Sequence, residues 1–225
     1  MNFMLGSYLK YLLQRKSKYS IHSPFVYDFM AKVLYDKGSN RDYDMMLRVS
    51  HLIDGKKFAT RSRRKQARFL YRLVGYLEPE TVLSFGRVSA LNTSALALGN
   101  LQTKVYLEQS PEFLEAMSSM GIVNVNLIQP DADGEEQMER YNTGFVLYGI
   151  DDFGEDTWDN LEEGMAQADD DTVLVFEGIH HSGRTEAAWE AIKESEGVTL
   201  TMDLYSMGLV FFRDGIEKQH FVLKY

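Results

Sequence analysis

After residue 79 the chain alternates short apolar runs with stretches in which apolar residues recur every three or four positions. The runs predict strands, and the periodic stretches predict helices. Such alternation predicts right-handed crossovers and a mostly parallel sheet that is covered by helices on both faces. The predicted strands are 81–86, 103–108, 123–128, 143–149 and 171–177, and the predicted helices are 91–99, 111–120, 134–141, 155–167 and 183–195.

The C-terminal segments depart from this alternation. Apolar runs at 198–203, 208–213 and 219–224 follow one another with only turns between them, including a turn at Asp214-Gly215. Consecutive strands that are joined by tight turns pair antiparallel. We therefore predict that the sheet ends in antiparallel strands.

The N-terminal part of the chain predicts helices. Apolar positions at helical spacing predict a helix over 3–14, and Ser23-Pro24 predicts the capped start of a second helix. A further helix is predicted over 61–77. We therefore expect a helical annex at 1–60, which belongs to the same unit as a main α/β domain at 61–225.

The helix predicted at 61–77 has a strongly basic first half. An anion-binding patch and a solvated helix face both explain these cations, and the charge of the whole chain favours the solvated face. With 33 acidic and 24 basic side chains, the formal net charge is −9. We therefore expect no nucleic acid among the partners. The cations are Arg61, Arg63, Arg64, Lys65 and Arg68.

The composition is that of a soluble globular protein, with 44% hydrophobic and 25% charged residues in a chain of 225. Because the sequence has no cysteine, disulfides, thiolate nucleophiles and cysteine-ligated metal centres are excluded. Neither a signal-peptide pattern nor an apolar run of about 18 residues is present. We expect a cytoplasmic protein with no membrane partner, and leave open whether it forms a homo-oligomer.

Residues 81–93 read Thr-Val-Leu-Ser-Phe-Gly-Arg-Val-Ser-Ala-Leu-Asn-Thr, which fits a strand, a glycine loop and the start of a helix. This segment resembles the first motif of the class I methyltransferases that use S-adenosylmethionine. The resemblance implies a three-layer, Rossmann-like methyltransferase fold, S-adenosylmethionine as the cofactor, and a small hydroxyl-bearing molecule as the methyl acceptor. Further segments are similar to bacterial O-methyltransferase-like proteins, namely 18–29, 176–182, 186–189, 208–213 and 218–221.

In this fold the cofactor lies across the carboxyl ends of the first strands. The resemblance places Gly86 closest to it, because a glycine admits positive φ and a close backbone approach, and the next helix offers free N–H groups to a carboxylate. Ser84 stands where the family has an acidic residue, and Ala90 where it has a second glycine. Arg87 could pair with the cofactor's carboxylate or fill its space, and both interpretations stay open.

Two acidic residues are further candidates for cofactor binding. Glu108 ends the second predicted strand, 22 positions after Gly86, where nucleotide-binding α/β folds place a carboxylate for the ribose hydroxyls. An ordinary exposed acid at a strand end explains Glu108 equally well. Asp131 could reach the adenine edge, although a role in turn formation beside Pro130 is favoured.

The resemblance also sets an expectation about metals. Related metal-dependent O-methyltransferases carry an aspartate near Gly149 and an acidic or amide pair near residues 177 and 178. Of these groups only Glu177 is present, with Asp151-Asp152 slightly beyond the fourth strand. Since a hard divalent cation needs several converging oxygens, we expect no metal.

His180 and His181 follow the fifth predicted strand and are the catalytic candidates. An imidazole at this place could take a proton from an acceptor hydroxyl near neutral pH. A histidine pair in a loop is more often a hydrogen-bonded or helix-capping feature, and that interpretation is favoured.

Two functional hypotheses follow. The first is O-methyl transfer from S-adenosylmethionine, which mainly needs alignment of the reacting groups and therefore tolerates a reduced site. The second is a non-catalytic protein that keeps the fold as a binding or assembly module. The residues at Ser84, Ala90, Gly149 and Gly178 favour the second, because each departs from the family pattern.

Overall fold

Two compact units make up the chain. The central unit comprises residues 23–129, and the terminal unit combines residues 1–22 with 130–225. The predicted boundary at residue 60 stays a prediction. The computed structural model describes residues 3–35, 41–86, 88–128, 144–149, 161, 165 and 168–225.

The described residues form helices and strands in the predicted alternation. The helices are α1 (Phe3–Gln14), α2 (Pro24–Phe29, continued by a π-helical turn at Met30–Leu34), α3 (Arg41–Ile53), α4 (Arg61–Leu77), α5 (Ala90–Gly99), α6 (Pro111–Ser119) and α7 (Gly183–Glu194). The strands are β1 (Thr81–Phe85), β2 (Lys104–Leu107), β3 (Val125–Leu127), β4 (Phe145–Tyr148), β5 (Val173–Glu177), β6 (Leu200–Asp203), β7 (Met207–Phe211) and β8 (Gln219–Val222).

Hydroxyl side chains fix where several helices begin. Each one accepts a hydrogen bond from a backbone N–H of the first turn, which would otherwise have no partner inside the helix. Ser23 caps α2 and is followed by proline at the first helical position, as predicted. At α7, Ser182 and Thr185 bond reciprocally in a capping box. The other caps are Thr60 for α4, Ser89 for α5 and Ser110 for α6.

The central unit contains three parallel strands in the order β3-β2-β1. Ser84 of β1 lies opposite Leu107 of β2, so the two strands end side by side. The polypeptide leaves β1 through Gly86 and enters α5 at Ala90. This geometry brings the predicted glycine loop and the end of the second strand to one edge of the sheet.

Helices α4 and α5 supply much of the apolar core of the central unit. The second half of α4 buries four apolar side chains completely, namely Phe69, Leu70, Leu73 and Val74, as its sequence pattern predicts, whereas Leu77 is half-buried. Full burial of a leucine or phenylalanine side chain stabilises a fold by roughly 1.5–3 kcal/mol. The predicted glycine loop, which leads into α5, is therefore joined to a well-packed pair of helices. The buried side chains include Phe69, Leu70, Leu73, Leu91 and Leu96.

The terminal unit contains five strands in the order β4-β5-β7-β6-β8. β4 and β5 pair in parallel, and β7 pairs antiparallel with both β5 and β6. This confirms the predicted antiparallel element. Gly208 of β7 is required by close packing, because a Cβ there would lie 2.6 Å from the ring of Trp189 on α7.

The pairing of β8 differs from the prediction. We expected it to pair antiparallel with the preceding strand, whereas β8 pairs in parallel with β6, with Leu200 opposite Gln219. The reason is that β5 and β6 already occupy the two edges of β7. The remaining free edge is the outer side of β6, where the last strand adds.

Helix α1 packs against the last strand. Lys16, just after the helix, forms a parallel bridge with Leu223, and the hydroxyl of Tyr11 donates to the carbonyl of Leu223 at 2.6 Å. Ser7 and Tyr11 are the buried residues of α1. The helix predicted over 3–14 is confirmed, and only a narrow strip of its surface is buried.

Most other predicted elements are also found. The five predicted strands and the helices predicted at 61–77, 91–99, 111–120 and 183–195 are confirmed to within two residues at each end. The predicted helix 134–141 and most of 155–167 lie outside the described residues. In the part of the chain that the structure describes, no helix is long and apolar enough to cross a membrane.

Candidate functional site

The loop after β1 requires a glycine at its first position. Gly86 has φ = +72°, in the left-handed region that side chains with a Cβ rarely adopt. The loop can therefore turn immediately at the end of the strand and lead back toward α5. The role predicted for Gly86 as a turn with close backbone approach fits this conformation.

Glu108 contacts Gly86 directly. Its Oε2 accepts a hydrogen bond from the backbone N–H of Gly86 at 3.0 Å, and the residue is exposed. The two candidates that are separated by 22 positions in sequence therefore meet at the carboxyl ends of β1 and β2. An exposed carboxylate at this point is accessible to the hydroxyl groups of a ligand.

Ser84 is fully buried in β1. Among the described residues, its hydroxyl oxygen has no hydrogen-bond partner. A buried polar group without a partner costs roughly 1–3 kcal/mol, so natural proteins keep few of them. The hydroxyl stands at the position where the family resemblance places an acidic side chain.

The start of α5 differs from the expectation. We expected its first N–H groups to be free for a ligand, whereas the carboxylate of Asp54 accepts from Ala90 N at 3.1 Å and from Leu91 N at 3.2 Å. The hydroxyl of Ser50 donates to the same carboxylate at 2.9 Å. Asp54 follows α3 directly, so the annex supplies an anion to the first turn of α5.

Of the three remaining cofactor candidates, Ala90 lies among the described residues. It is fully buried at the first position of α5, and a helical backbone there does not need the conformational freedom of glycine. Arg87 and Asp131 lie outside the described residues, as do Asp151 and Asp152. Their predicted roles stay predictions.

The two histidines after β5 lie in different environments. His180 is buried, and its Nε2 lies 2.8 Å from Oδ2 of Asp203 in β6. Because a carboxylate only accepts, Nε2 carries the proton of this bond. The opposite nitrogen, Nδ1, has no hydrogen bond within the described ranges and lies 3.8 Å from Oε2 of Glu186. His181 is exposed.

Tyr205 covers the imidazole of His180. The two rings stack with centroids 5.4 Å apart, and the backbone N–H of Tyr205 donates to Oδ1 of Asp203 at 2.7 Å. Tyr205 has φ = +69°, a conformation that is strained for a residue with a side chain. Burial and the neighbouring Tyr8, Glu186 and Asp203 raise the pKa of the Tyr205 hydroxyl.

This geometry gives the two histidines different capacities. His180 is held on one edge by Asp203 and on one face by Tyr205, so its ring is fixed and has little access to a substrate. His181 donates its backbone N–H to Gly178, and its side chain is exposed. A proton acceptor for a diffusing substrate must be reachable, which favours His181 over His180.

The residues near the expected metal position do not converge. Glu177 is buried at the end of β5. Within the described ranges, no three histidine or acidic side chains lie close enough together to hold a metal ion. The expectation that no metal is bound stays a prediction, because Asp151-Asp152 is not among those ranges.

The basic first half of α4 is exposed, as a solvated face requires. Arg63 lies over the ring of Phe58, with its guanidinium carbon 3.7 Å from the centroid, and Arg68 lies 4.8 Å above Tyr43. These contacts orient two of the cations without neutralising them. They are compatible with both interpretations of the patch.

No protein-family model and no curated protein matches the sequence. Solved structures match over most of the chain. They include the SAH-bound methyltransferase PaMTH1 of Podospora anserina, with 13% identity, coverage of 86% of this chain and 97% of that one, and a TM-score of 0.57.

Two bacterial structures are similar to the same degree. A methyltransferase from Geobacter sulfurreducens has 13% identity, covering 85% of this chain and 98% of its own, with a TM-score of 0.56. The O-methyltransferase from Bacillus cereus, solved with SAH, has 15% identity, with 83% and 97% covered and a TM-score of 0.52.

This chain has the Rossmann-like methyltransferase fold. Four of its six described strand pairs are parallel, and the two antiparallel pairs both involve β7 near the C-terminus. A fold of this kind hosts many functions, so the assignment of an activity depends on the residues of the site.

Proposed function

We propose that this protein transfers a methyl group from S-adenosylmethionine to a hydroxyl group of a small acceptor. The contact between Glu108 and Gly86 carries the proposal, since it unites a carboxylate and a positive-φ glycine at the ends of the first two parallel strands. In α/β folds, ligands bind outside the carboxyl ends of such strands.

The residues of the central unit fit the cofactor at three points. The exposed carboxylate of Glu108 suits the two ribose hydroxyls, and the buried hydroxyl of Ser84 offers a polar group that is not yet satisfied by the described residues. Asp54 provides negative charge at the start of α5, which suits the ammonium of the cofactor's methionine part. When bound, the cofactor supplies an electrophilic methyl group on a sulfonium.

The chain's own contribution to the reaction is mainly alignment. Holding two reactants in the attack geometry can account for roughly 7–11 kcal/mol of a barrier, so a methyltransferase needs few acid–base groups. The two histidines belong to the terminal unit. His181 stays the candidate for proton removal because it is exposed, and His180 fixes the loop that carries it.

The non-catalytic alternative is favoured by one specific observation. Asp54 already takes the first N–H groups of α5, which the expected mode of binding leaves to the cofactor's carboxylate. A protein that retains the fold for binding or assembly has no need of those groups. The two functions differ in whether S-adenosylmethionine binds to the folded protein.

We further propose a cytoplasmic location and a small-molecule acceptor in preference to a nucleic acid. The formal net charge of −9 repels polyanions from the molecule as a whole. S-Adenosylmethionine is a soluble cytoplasmic metabolite, which supports the proposed location.

Titration of the protein with S-adenosylmethionine and S-adenosylhomocysteine tests the proposal. A ligand that binds only the folded state raises its stability, by about 2.7 kcal/mol at one hundred times the dissociation constant. We expect a saturable rise in melting temperature and a matching isothermal heat signal. Glu108→Gln should weaken binding at least about tenfold, since a hydrogen bond to a charged group contributes roughly 1.5–3 kcal/mol.

Glu115→Gln is the matched control, because Glu115 is an exposed acid on the neighbouring helix α6. It should bind both ligands as the wild type does. A flat response of the wild type at millimolar ligand would contradict the proposal and favour the binding-module function.

A further inference from the structure

Helix α1 presents an apolar surface to solvent. Of the twelve large hydrophobic side chains that are exposed in the described part of the chain, six belong to this one helix. Large exposed apolar patches mark interaction sites, whereas single exposed side chains are normal. The six are Phe3, Met4, Leu5, Tyr8, Leu9 and Leu13.

Three leucines form the outermost part of this surface. Leu5, Leu9 and Leu13 are 52%, 47% and 89% exposed. They are four residues apart, so they form one row along the helix, and the buried Ser7 and Tyr11 lie on the opposite side. We call this row the leucine stripe. An ordinary surface helix turns polar residues outward, and α1 turns leucines outward.

The helix is fixed in this orientation by contacts on its inner side. Tyr11 donates to Leu223, and the hydroxyl of Tyr205 donates to the carbonyl of Met4 at 2.9 Å. The ring of Tyr8 meets that of Tyr205 edge-on, with centroids 4.9 Å apart. A rotation that buried the leucine stripe would break all three contacts.

The charged side chains in the segment that carries the leucine stripe are all cations. Before Asp28 the sequence contains four lysine or arginine residues and no acidic one, although the chain as a whole has a net charge of −9. Lys16 is exposed at the end of the helix, and its carbonyl accepts from the backbone N–H of Lys224, so a second lysine lies beside it. Lys10 is ion-paired with Glu186 at 3.3 Å.

We propose that α1 is a membrane-surface helix, which inserts its leucine stripe into the headgroup region of an anionic bilayer. A helix with leucine and phenylalanine on one side and lysine or arginine beside them binds in this way. At about 1.5 Å per residue, its 12 residues span roughly 18 Å, so α1 lies on a membrane and does not cross it.

The charge of the segment favours a bilayer over a second copy of this chain. In a symmetric dimer the same surface appears on both partners, so the cations of the two copies would approach one another. An anionic surface instead attracts each lysine or arginine that lies near it. The sequence-based expectation of no membrane partner came from the lack of a spanning segment, which a surface contact does not need. The proposal is independent of the methyltransferase activity.

Co-sedimentation of the full chain with vesicles tests this inference. The vesicles are pure phosphatidylcholine, or an equal mixture of phosphatidylcholine and phosphatidylglycerol. We expect binding to the mixed vesicles that weakens as salt is added, and little binding to the neutral ones. Lys16→Glu should lower the partition coefficient about fivefold or more.

The apolar contribution is tested by the double variant L9S/L13S. Loss of two inserted leucines should lower partitioning by at least about a hundredfold. L52S/L101S is the matched control, since Leu52 and Leu101 are 62% and 69% exposed but lie elsewhere in the chain. It should bind like the wild type. Circular dichroism and the melting temperature establish that each variant is folded, and Leu13→Ser alone replaces the double variant if that one does not fold.

Three results would overturn the inference. The first is equal vesicle binding by L9S/L13S and L52S/L101S. The second is binding that does not depend on phosphatidylglycerol. The third is a dimer in solution that L9S/L13S dissociates, in a protein that does not bind vesicles, which would make a second copy the partner of the stripe.

Discussion

The carboxylate of Asp54 lies 3.1 Å from the backbone nitrogen of Ala90 and so caps α5 from a distant part of the sequence. The second oxygen accepts from the next N–H group, that of Leu91. Negative charge at the start of a helix is favourable by roughly 0.3–1 kcal/mol, in addition to the hydrogen bonds themselves. The contact ties the end of α3 to the loop that follows β1.

The first prediction concerns the stability that this contact provides. Asp54→Ala removes both hydrogen bonds to α5 and leaves two N–H groups without their acceptor, so the free energy of unfolding should fall by about 1–2 kcal/mol. Asp54→Asn keeps one acceptor and should lose less. Urea denaturation measures both. A midpoint for Asp54→Ala equal to that of the control Glu115→Ala would show that the cap is unimportant.

The same residue yields a prediction for ligand binding. If Asp54 attracts the ammonium of S-adenosylmethionine, Asp54→Asn should weaken binding about tenfold, the loss expected for one charge-assisted hydrogen bond. Calorimetric titration gives the dissociation constant. An increase in affinity would mean the opposite, namely that Asp54 competes with the ligand for the start of α5.

Substitution of Ser84 should affect the stability of the ligand-free protein and its affinity for the cofactor differently. Replacing its buried hydroxyl by Ser84→Ala removes a polar group that has no partner among the described residues, so the ligand-free protein should be equally stable or up to about 1 kcal/mol more stable. Affinity for S-adenosylmethionine should fall if the hydroxyl contacts it. A clear loss of stability in the absence of ligand would show that the hydroxyl serves the fold instead.

The two histidines should respond differently to substitution. His180→Ala leaves the buried carboxylate of Asp203 without its imidazole partner, and we expect the free energy of unfolding to fall by about 1–3 kcal/mol. His181→Ala should leave stability within about 0.5 kcal/mol, because the side chain is exposed. Turnover should drop for His181→Ala once an acceptor is known. The reverse order of stabilities would contradict the structural role of His180.

Tyr11 gives the protein a pH dependence at the alkaline end. Burial raises the pKa of its hydroxyl to about 12, against a reference value of 10.0 in the unfolded chain. The unfolded state therefore loses the proton first, so the contribution of Tyr11 is complete below about pH 10 and is lost as the pH rises toward 12. Between pH 9 and pH 11, the urea concentration at the unfolding midpoint should fall more for the wild type than for Tyr11→Phe. Parallel declines would contradict the prediction.

The alternation of apolar runs was sufficient to locate the strands and most helices, because burial on both faces of a parallel sheet leaves a strong pattern. Helix α3 was not predicted. Its first turn is polar, with Arg41, Asp42 and Asp44, and it follows a segment whose sequence predicts a turn. The helix buries a strip formed by Tyr43, Met46 and Val49. The parallel pairing of β8 escaped prediction because it depends on which strand edges are already occupied.

At the candidate site, the sequence was enough to place Gly86 and Glu108 after the first two strands, and parallel strands end at one edge of a sheet. The direct hydrogen bond between the two residues was not predicted. Nothing local to the sequence of residues 84–93 indicates the cap from Asp54, which lies 36 positions before Ala90. The difference between His180 and His181 likewise depends on Asp203 and Tyr205, which come from a later strand and the turn after it.

The hydrogen bond between Tyr11 and Leu223 joins residues 212 positions apart. During synthesis, α1 leaves the ribosome long before its docking strand exists, while the central unit has all its residues available much earlier. The terminal unit can therefore close only after Leu223 has been made, and closure of so long a loop is slow. Until then the nascent helix exposes both its faces, so it is the segment that a chaperone would be expected to engage first.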